Sequence, residues 1–173
     1  MNSTSLAAAP GPWSGSYIKA HPLRTVGIVL HLLLRTLFGL FWIAAGVNKI
    51  RKGWVTNDML ERIFKDRLTE MPPDSFPVWY LQSFAIPLYK LVAVVVTACE
   101  LYVGVALLLG LTTRWGAVVA LFILVNLCLG GYYDASLIPF FLLAFLMISK
   151  NSGHWLGFDR GLHRKYPQSR WFS

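Results

Sequence analysis

Four stretches of consecutive apolar residues, separated by polar or Pro- and Gly-containing segments, organise the chain. They cover residues 26–50, 87–111, 115–131 and 136–148. A helix needs about 20 apolar residues to cross the roughly 30 Å hydrocarbon core of a membrane, so the fourth stretch is short for a span. The strict alternation of apolar and polar residues that is typical of a membrane β-barrel does not occur. We therefore predict an all-α polytopic membrane protein, a bundle of four transmembrane helices.

The long loop between the first two spans, residues 51–86, predicts a further amphipathic helix. Asp58, followed by Glu61, has the spacing of a capping box. The sequence Pro72-Pro73 would end that helix. We expect the helix to lie as a lid on the outer surface of the bundle, with a purely structural cap as the alternative. The residues predicted to share its apolar face are Met59, Leu60, Ile63, Phe64 and Leu68.

Composition supports a membrane protein. The 173 residues are 55% hydrophobic and only 14% charged, whereas about a quarter of the residues of a soluble domain are charged. The formal net charge is +8. In so apolar a chain this positive excess indicates contact with anionic lipid rather than with nucleic acid, and the membrane topology determines on which side the positive residues lie. The expected partners are membrane lipids and other subunits of a membrane complex.

Three segments follow from this pattern: a polar leader (1–25), the membrane domain (26–149) and a basic tail (150–173). An even number of spans places both termini on one side, and that side carries slightly more Lys and Arg than the other. The positive-inside rule then favours cytoplasmic termini. We expect the protein to lie in the inner membrane of a bacterial cell. The tail is interpreted as an anchor on anionic lipid or as a docking segment for a partner protein.

Two charged residues, Arg35 and Glu100, lie in the middle of the first two spans. A charge at such a depth costs ~3 kcal/mol or more, so it normally faces other helices and has a partner. Counting from the span ends at about 1.5 Å per residue places the two at similar depth. We therefore predict an Arg35–Glu100 ion pair, which either only fixes the helix register or forms part of a quinone pocket. In that pocket Arg35 would donate to a quinone oxygen and Glu100 would carry a proton.

Two further polar residues are candidates for the same pocket. His31 precedes Arg35 by one helical turn, so it either extends a proton path or serves as interfacial structure. Asn126 lies inside the third span, where it either forms a hydrogen bond between helices or contacts a ligand. The glycines of the first two spans predict close helix–helix contact, namely Gly39, Gly46 and Gly104.

The sequence contains no motif for a metal or a covalently attached cofactor. Cys99 and Cys128 lie in apolar runs without a C-x-x-C spacing, so they are interpreted as buried thiols. No heme-attachment, phosphate-loop, dinucleotide or nucleophile-elbow motif is present either. We expect no metal site and no covalently bound cofactor.

Three motifs resemble those of a known family. Leu33-Leu34-Arg35-x3-Gly39 followed by Ala45-Gly46-x2-Lys49 resembles the first span of the DoxX/DoxD family. The stretch from Glu100-Leu101-x2-Gly104 to Thr113-Arg114 resembles the second span and its following turn. The sequence Gly157-Phe158-Asp159-Arg160-Gly161-Leu162 resembles the ending of the DoxD branch, so the resemblance covers residues 26–162.

The resemblance implies a small four-helix membrane protein and carries an expectation about function. The family includes a subunit of thiosulfate:quinone oxidoreductase, which passes electrons from thiosulfate to membrane quinone. It thus implies a subunit associated with quinone-linked electron transfer, with thiosulfate oxidation as the named case and quinone as the cofactor. The alternative is a non-catalytic accessory or scaffold subunit of a larger respiratory or photosynthetic membrane complex. A transporter or channel would need more polar residues along a path than these spans contain.

Overall fold

The computed structural model describes residues 12–150, 152–169 and 171. These residues form helices and turns without any strand, and the prediction for leader residues 1–11 lies outside them. A π-helical turn covers Leu81–Ala85, and short 3-10 turns cover Ala135–Leu137 and Ser152–His154. The α-helices are α1 (Gly15–Ala20), α2 (Pro22–Arg51), α3 (Met59–Thr69), α4 (Phe76–Tyr80), α5 (Tyr89–Leu109), α6 (Thr113–Leu129), α7 (Ile138–Ser149) and α8 (Asp159–Lys165).

The four predicted spans correspond to α2, α5, α6 and α7. Within the described residues, α2 and α5 are long and apolar enough to cross a membrane by themselves. Helix α6 and the segment Ala135–Ser149 are apolar but shorter. The all-helical class is therefore confirmed with two candidate membrane spans, whereas four crossings remain a prediction.

The four long helices pack in chain order. Helix α2 runs along α5, α5 contacts α6, α6 contacts α7, and α7 returns to α2. The buried residues of α2 recur every three or four positions, as expected for one face of a helix. Its other faces expose apolar side chains, for example Leu33 and Leu37, each more than half exposed. So much exposed apolar surface on the longest helix suits contact with lipid. The buried stripe consists of Ile28, His31, Leu32, Arg35, Phe38, Gly39, Trp42 and Gly46.

Glycines bring α2 and α5 into close contact, as the sequence predicts. A Cβ atom on Gly104 would lie 2.8 Å from the backbone nitrogen of Ile43. A Cβ atom on Gly46 would lie 2.8 Å from Cδ2 of Leu101. The contact at Gly104 is with backbone, so that position requires glycine, whereas a side chain at position 46 would require the Leu101 side chain to move. They also fix the antiparallel register, since residues 46 and 101 are level with one another.

The predicted loop helix is present as α3, but its capping box is wrong. The Asp58 side chain caps no backbone group and instead lies 3.1 Å from the guanidinium of Arg62. The hydrogen bond from Arg62 lowers the pKa of the Asp58 carboxyl. Glu61 pairs with Lys65 one turn later, at 2.6 Å, rather than with the helix end. Exposed partners at i+4 therefore take both carboxylates away from the capping role.

Candidate functional site

The predicted pair between Arg35 and Glu100 is wrong. In the α2–α5 register, Glu100 is level with the carboxyl end of α2, whereas Arg35 is level with the turn after α5. The two residues are thus separated by roughly 18 Å along the bundle at about 1.5 Å per residue. The depth estimate failed because the first turns of α5 project beyond the end of α2 at Arg51.

Arg35 binds the C-terminal tail instead. Its Nη1 atom donates to the carbonyl oxygen of Ser152 at 2.9 Å. Its Nη2 atom donates to the carbonyl oxygen of Leu156 at 2.7 Å. The side chain is buried, which disfavours its charge, and the Asp159 carboxylate offsets part of that cost. The guanidinium therefore holds the tail against the end of the bundle.

Asp159 completes this tail contact by capping α6. Its carboxylate accepts hydrogen bonds from the backbone nitrogens of Thr112, at 2.6 Å, and Thr113, at 3.0 Å. It also accepts from the Thr113 hydroxyl at 2.9 Å. A carboxylate at a helix N-terminus satisfies free N–H groups and interacts favourably with the helix dipole. We call Arg35, Thr113, Ser152, Leu156 and Asp159 the tail latch.

His31 belongs to this same end of the molecule. Its buried ring meets the Trp155 ring edge-on, with centroids 5.1 Å apart. The indole nitrogen of Trp13 in turn donates to the Trp155 carbonyl oxygen at 2.7 Å. His31 and Arg35 are thus brought together by the tail, away from Glu100.

A cavity of about 460 Å³ lies at the opposite end, beneath α3 and α4 and against α5 and α6. Of the predicted site residues, Glu100 and Asn126 line this cavity, whereas Arg35 and His31 do not. Most of the lining is apolar, which suits a largely hydrophobic ligand. The polar exceptions are Lys49, Trp54, Tyr80, Glu100, Asn126 and Tyr132, and the apolar lining includes Leu60, Ile63, Phe64, Leu81, Phe84, Leu91, Val95 and Ile123.

A buried ion pair lies at the wall of this cavity. The ammonium group of Lys49 lies 2.5 Å from Oε1 of Glu100 and 4.8 Å from the centroid of the Trp54 ring. Oε2 of Glu100 and Nε1 of Trp54 are buried and have no hydrogen-bond partner among the described residues. Buried polar atoms are nearly always paired, so this free acceptor and this free donor are groups to which a ligand or a water molecule can bind at the cavity.

A second polar contact links α4 to α6 across the cavity. The Tyr80 hydroxyl donates to Oδ1 of Asn126 at 2.8 Å. Burial raises the pKa of Tyr80, so the phenol keeps the proton that it donates. The Asn126 amide nitrogen donates to the Phe122 carbonyl oxygen of its own helix at 2.8 Å. The hydrogen bond between elements that the sequence predicts for Asn126 is confirmed, with Tyr80 as the partner.

Sequence reasoning missed Lys49, Trp54 and Tyr80 at the cavity and Asp159 in the tail latch. Lys49 and Asp159 both occur in the motifs that carry the family resemblance, so the signal was present without a role attached. Lys49 follows the contact glycine Gly46 by three residues, which places it level with Glu100 once the α2–α5 register is known. Trp54 and Tyr80 lie in the loop, where no periodic pattern predicts which side chains point inward.

The fold and this cavity define a helical membrane protein with a buried ion pair beside an apolar chamber. The family model described as DoxX matches residues 30–130, which is more than half of the chain, and the protein belongs to the DoxX family. The match covers the residues from α2 to α6 and leaves out the tail half of the latch. Searches of curated proteins and of solved structures gave no match.

Proposed function

We propose that this protein is a membrane subunit that binds a quinone in the cavity at the Lys49–Glu100 pair and serves quinone-linked electron transfer. The observation that carries the proposal is the combination of an apolar chamber with one unpartnered acceptor, Oε2 of Glu100, and one unpartnered donor, Nε1 of Trp54. Because a transport path would need a continuous polar lining, this mostly apolar chamber favours a binding site.

The chemistry of a quinone fits these groups. Its head is a flat ring with two oxygens, which accept hydrogen bonds when oxidised and donate them when reduced. Trp54 supplies a donor and Glu100 an acceptor, while the aromatic and aliphatic lining suits the ring and its isoprenoid tail. The volume of about 460 Å³ lies within the ~300–1,000 Å³ that small-molecule sites usually offer.

Glu100 is the proposed proton carrier. When bound, a quinone accepts two electrons, which a partner oxidoreductase would deliver, and two protons. Glu100, a carboxylate beside Lys49 at rest, would take up two protons from water one after the other and pass each toward the chamber. The carboxylate that remains is stabilised by the Lys49 ammonium group, which lies 2.5 Å from Oε1.

We also propose an orientation. With four crossings and cytoplasmic termini in a bacterial inner membrane, the tail latch lies at the cytoplasmic side and the cavity at the outer side. An outer cavity would suit a partner that oxidises a sulfur compound such as thiosulfate outside the cytoplasm. The amphipathic helix α3 then covers the cavity at the outer surface of the inner membrane, through Leu60, Ile63 and Phe64.

Binding of decylubiquinone to the purified protein in lipid nanodiscs tests the proposal. Glu100→Gln keeps the shape of the side chain but removes the charged acceptor, so we expect the affinity for decylubiquinol, the reduced form whose hydroxyl groups donate, to fall about tenfold or more. Trp54→Phe removes one neutral donor and should weaken binding about threefold to tenfold. Isothermal titration or equilibrium partition of the quinone gives the Kd.

Two matched variants act as controls. Glu61→Gln changes a carboxylate of α3 that pairs with Lys65, and Trp79→Phe changes an exposed tryptophan outside the cavity lining. Both should bind quinone like the unaltered protein. If the unaltered protein, folded and monodisperse, binds no quinone, the proposal is wrong, and a non-catalytic accessory subunit becomes the better account.

A further inference from the structure

A second pocket, of about 340 Å³, lies at the tail end of the molecule, remote from the quinone cavity. It is formed where the start of α2 meets the C-terminal tail. Arg24 and Arg160 both line it, and Trp155 and Tyr17 form part of its wall. Two arginines from distant parts of the sequence therefore converge on one concave site.

The described residues bring no negative charge to this pocket. Among them the lining includes no Asp or Glu, and neither Arg24 nor Arg160 forms an ion pair with any of them. The nearest acid in sequence, Asp159, is buried and already accepts hydrogen bonds from the start of α6. Guanidinium groups bind phosphate oxygens with paired, charge-assisted hydrogen bonds, so a phosphate is the ligand that this chemistry favours.

The surroundings favour a phospholipid over a free phosphate. Beyond Arg24, α2 continues with exposed apolar residues, among them Val26 (64% exposed) and Leu30 (54% exposed). Acyl chains can lie along this surface while the head group occupies the pocket. Aromatic residues such as Tyr17 and Trp155 are typical of the membrane interface, where head groups lie.

We infer that the pocket formed by Arg24, Arg160, Tyr17 and Trp155 binds the phosphate of an anionic phospholipid. The lipid would join α2 to the tail at the membrane surface and so add to the hold of the tail latch. Basic pockets beside membrane helices recognise anionic head groups in this way. This inference is independent of the proposed quinone site, which lies at the other end of the bundle.

Native mass spectrometry of the delipidated full-length protein in detergent tests the inference. Phosphatidylglycerol, phosphatidylcholine and inorganic phosphate are each added at matched concentrations. We expect one phosphatidylglycerol molecule to remain bound, with an affinity at least about tenfold above that for phosphatidylcholine. The double variant Arg24→Gln/Arg160→Gln should lose this preference.

The double variant Arg164→Gln/Lys165→Gln is the matched control. It removes two positive charges from exposed positions of α8 that do not line the pocket, so it should retain the bound lipid. Equal retention of phosphatidylglycerol by both double variants would overturn the inference, as would equal binding of the two lipids by the unaltered protein. Binding of inorganic phosphate that excludes lipid would overturn the choice of a phospholipid. If the pocket variant does not fold, the lipid preference of the unaltered protein still decides the question. The quinone affinity of the unaltered protein is measured separately, so failure of the lipid inference can be distinguished from failure of the proposed function.

Discussion

At the residue scale, Arg35 illustrates how far a charge within an apolar helix can be interpreted from sequence. The sequence predicts correctly that such a charge has a buried partner. It could not identify the partner, because Arg35 binds the backbone carbonyls of Ser152 and Leu156, and every residue carries a carbonyl. Glu100 was the natural candidate by charge alone, yet Lys49 is the partner that the helix register brings within reach.

Replacing Arg35 by methionine should destabilise the protein. Met keeps an unbranched apolar side chain but leaves two buried carbonyl oxygens without donors, which costs about 2–4 kcal/mol in unfolding free energy. Denaturant titration in micelles measures the loss, and protease susceptibility of residues 152–169 reports release of the tail. Arg164→Met, at an exposed position of α8, should stay within about 0.5 kcal/mol of the unaltered protein. Equal stability of both variants would show that the hydrogen bonds of Arg35 to the tail contribute nothing to stability.

At the element scale, the apolar pattern predicts the helices well and their relative heights poorly. The expected spans 26–50 and 87–111 correspond to Pro22–Arg51 and Tyr89–Leu109. The hydropathy pattern predicts each helix separately, but it contains no information on the offset of one helix along its neighbour. Here the offset of α2 along α5 is fixed by glycine contacts such as Gly46 against Leu101. This offset decides which charged residues lie close together.

The same contacts predict opposite effects for two glycine substitutions. Gly104→Ala would place a Cβ atom 2.8 Å from the Ile43 backbone nitrogen, and it should destabilise the protein by about 1–3 kcal/mol. Gly27→Ala lies in the same pair of helices with no atom within 4 Å of the new Cβ. It should be neutral or stabilise by up to about 1 kcal/mol, because alanine favours the helix. Thermal unfolding in detergent compares them, and a Gly104→Ala protein as stable as Gly27→Ala would refute the register.

At the scale of the whole molecule, polar groups are divided between two ends. The tail latch and the arginine pocket occupy the end formed by α1, the start of α2 and the tail. The cavity beside the Lys49–Glu100 pair occupies the other end, under the loop helices. The candidate pocket predicted from sequence is therefore divided: Glu100 and Asn126 remain in it, and Arg35 and His31 belong to the tail. No local pattern could show this, since the division depends on where residues 152–159 return to the bundle.

The proposed orientation predicts that the two ends lie in different compartments. Green fluorescent protein fused after Ser173 should fluoresce in a bacterial host, because it folds in the cytoplasm. Asp74→Cys, at an exposed position of the loop, should react with a membrane-impermeant maleimide on intact cells. The unaltered protein, with Cys99 and Cys128 only partly exposed, provides the background. Labelling of Asp74→Cys only after lysis would reverse the orientation.

The reach of Arg35 also has a consequence for biosynthesis. Its two carbonyl partners follow it by 117 and 121 residues. At a synthesis rate of about 5–20 residues per second, the ribosome needs roughly 6–24 seconds to make them after Arg35 itself. Throughout this interval the nascent helix α2 carries a positive charge whose final hydrogen-bond acceptors have not yet been made. Its stable insertion must wait until residues 152–156 have been made or be assisted by the insertion machinery until then.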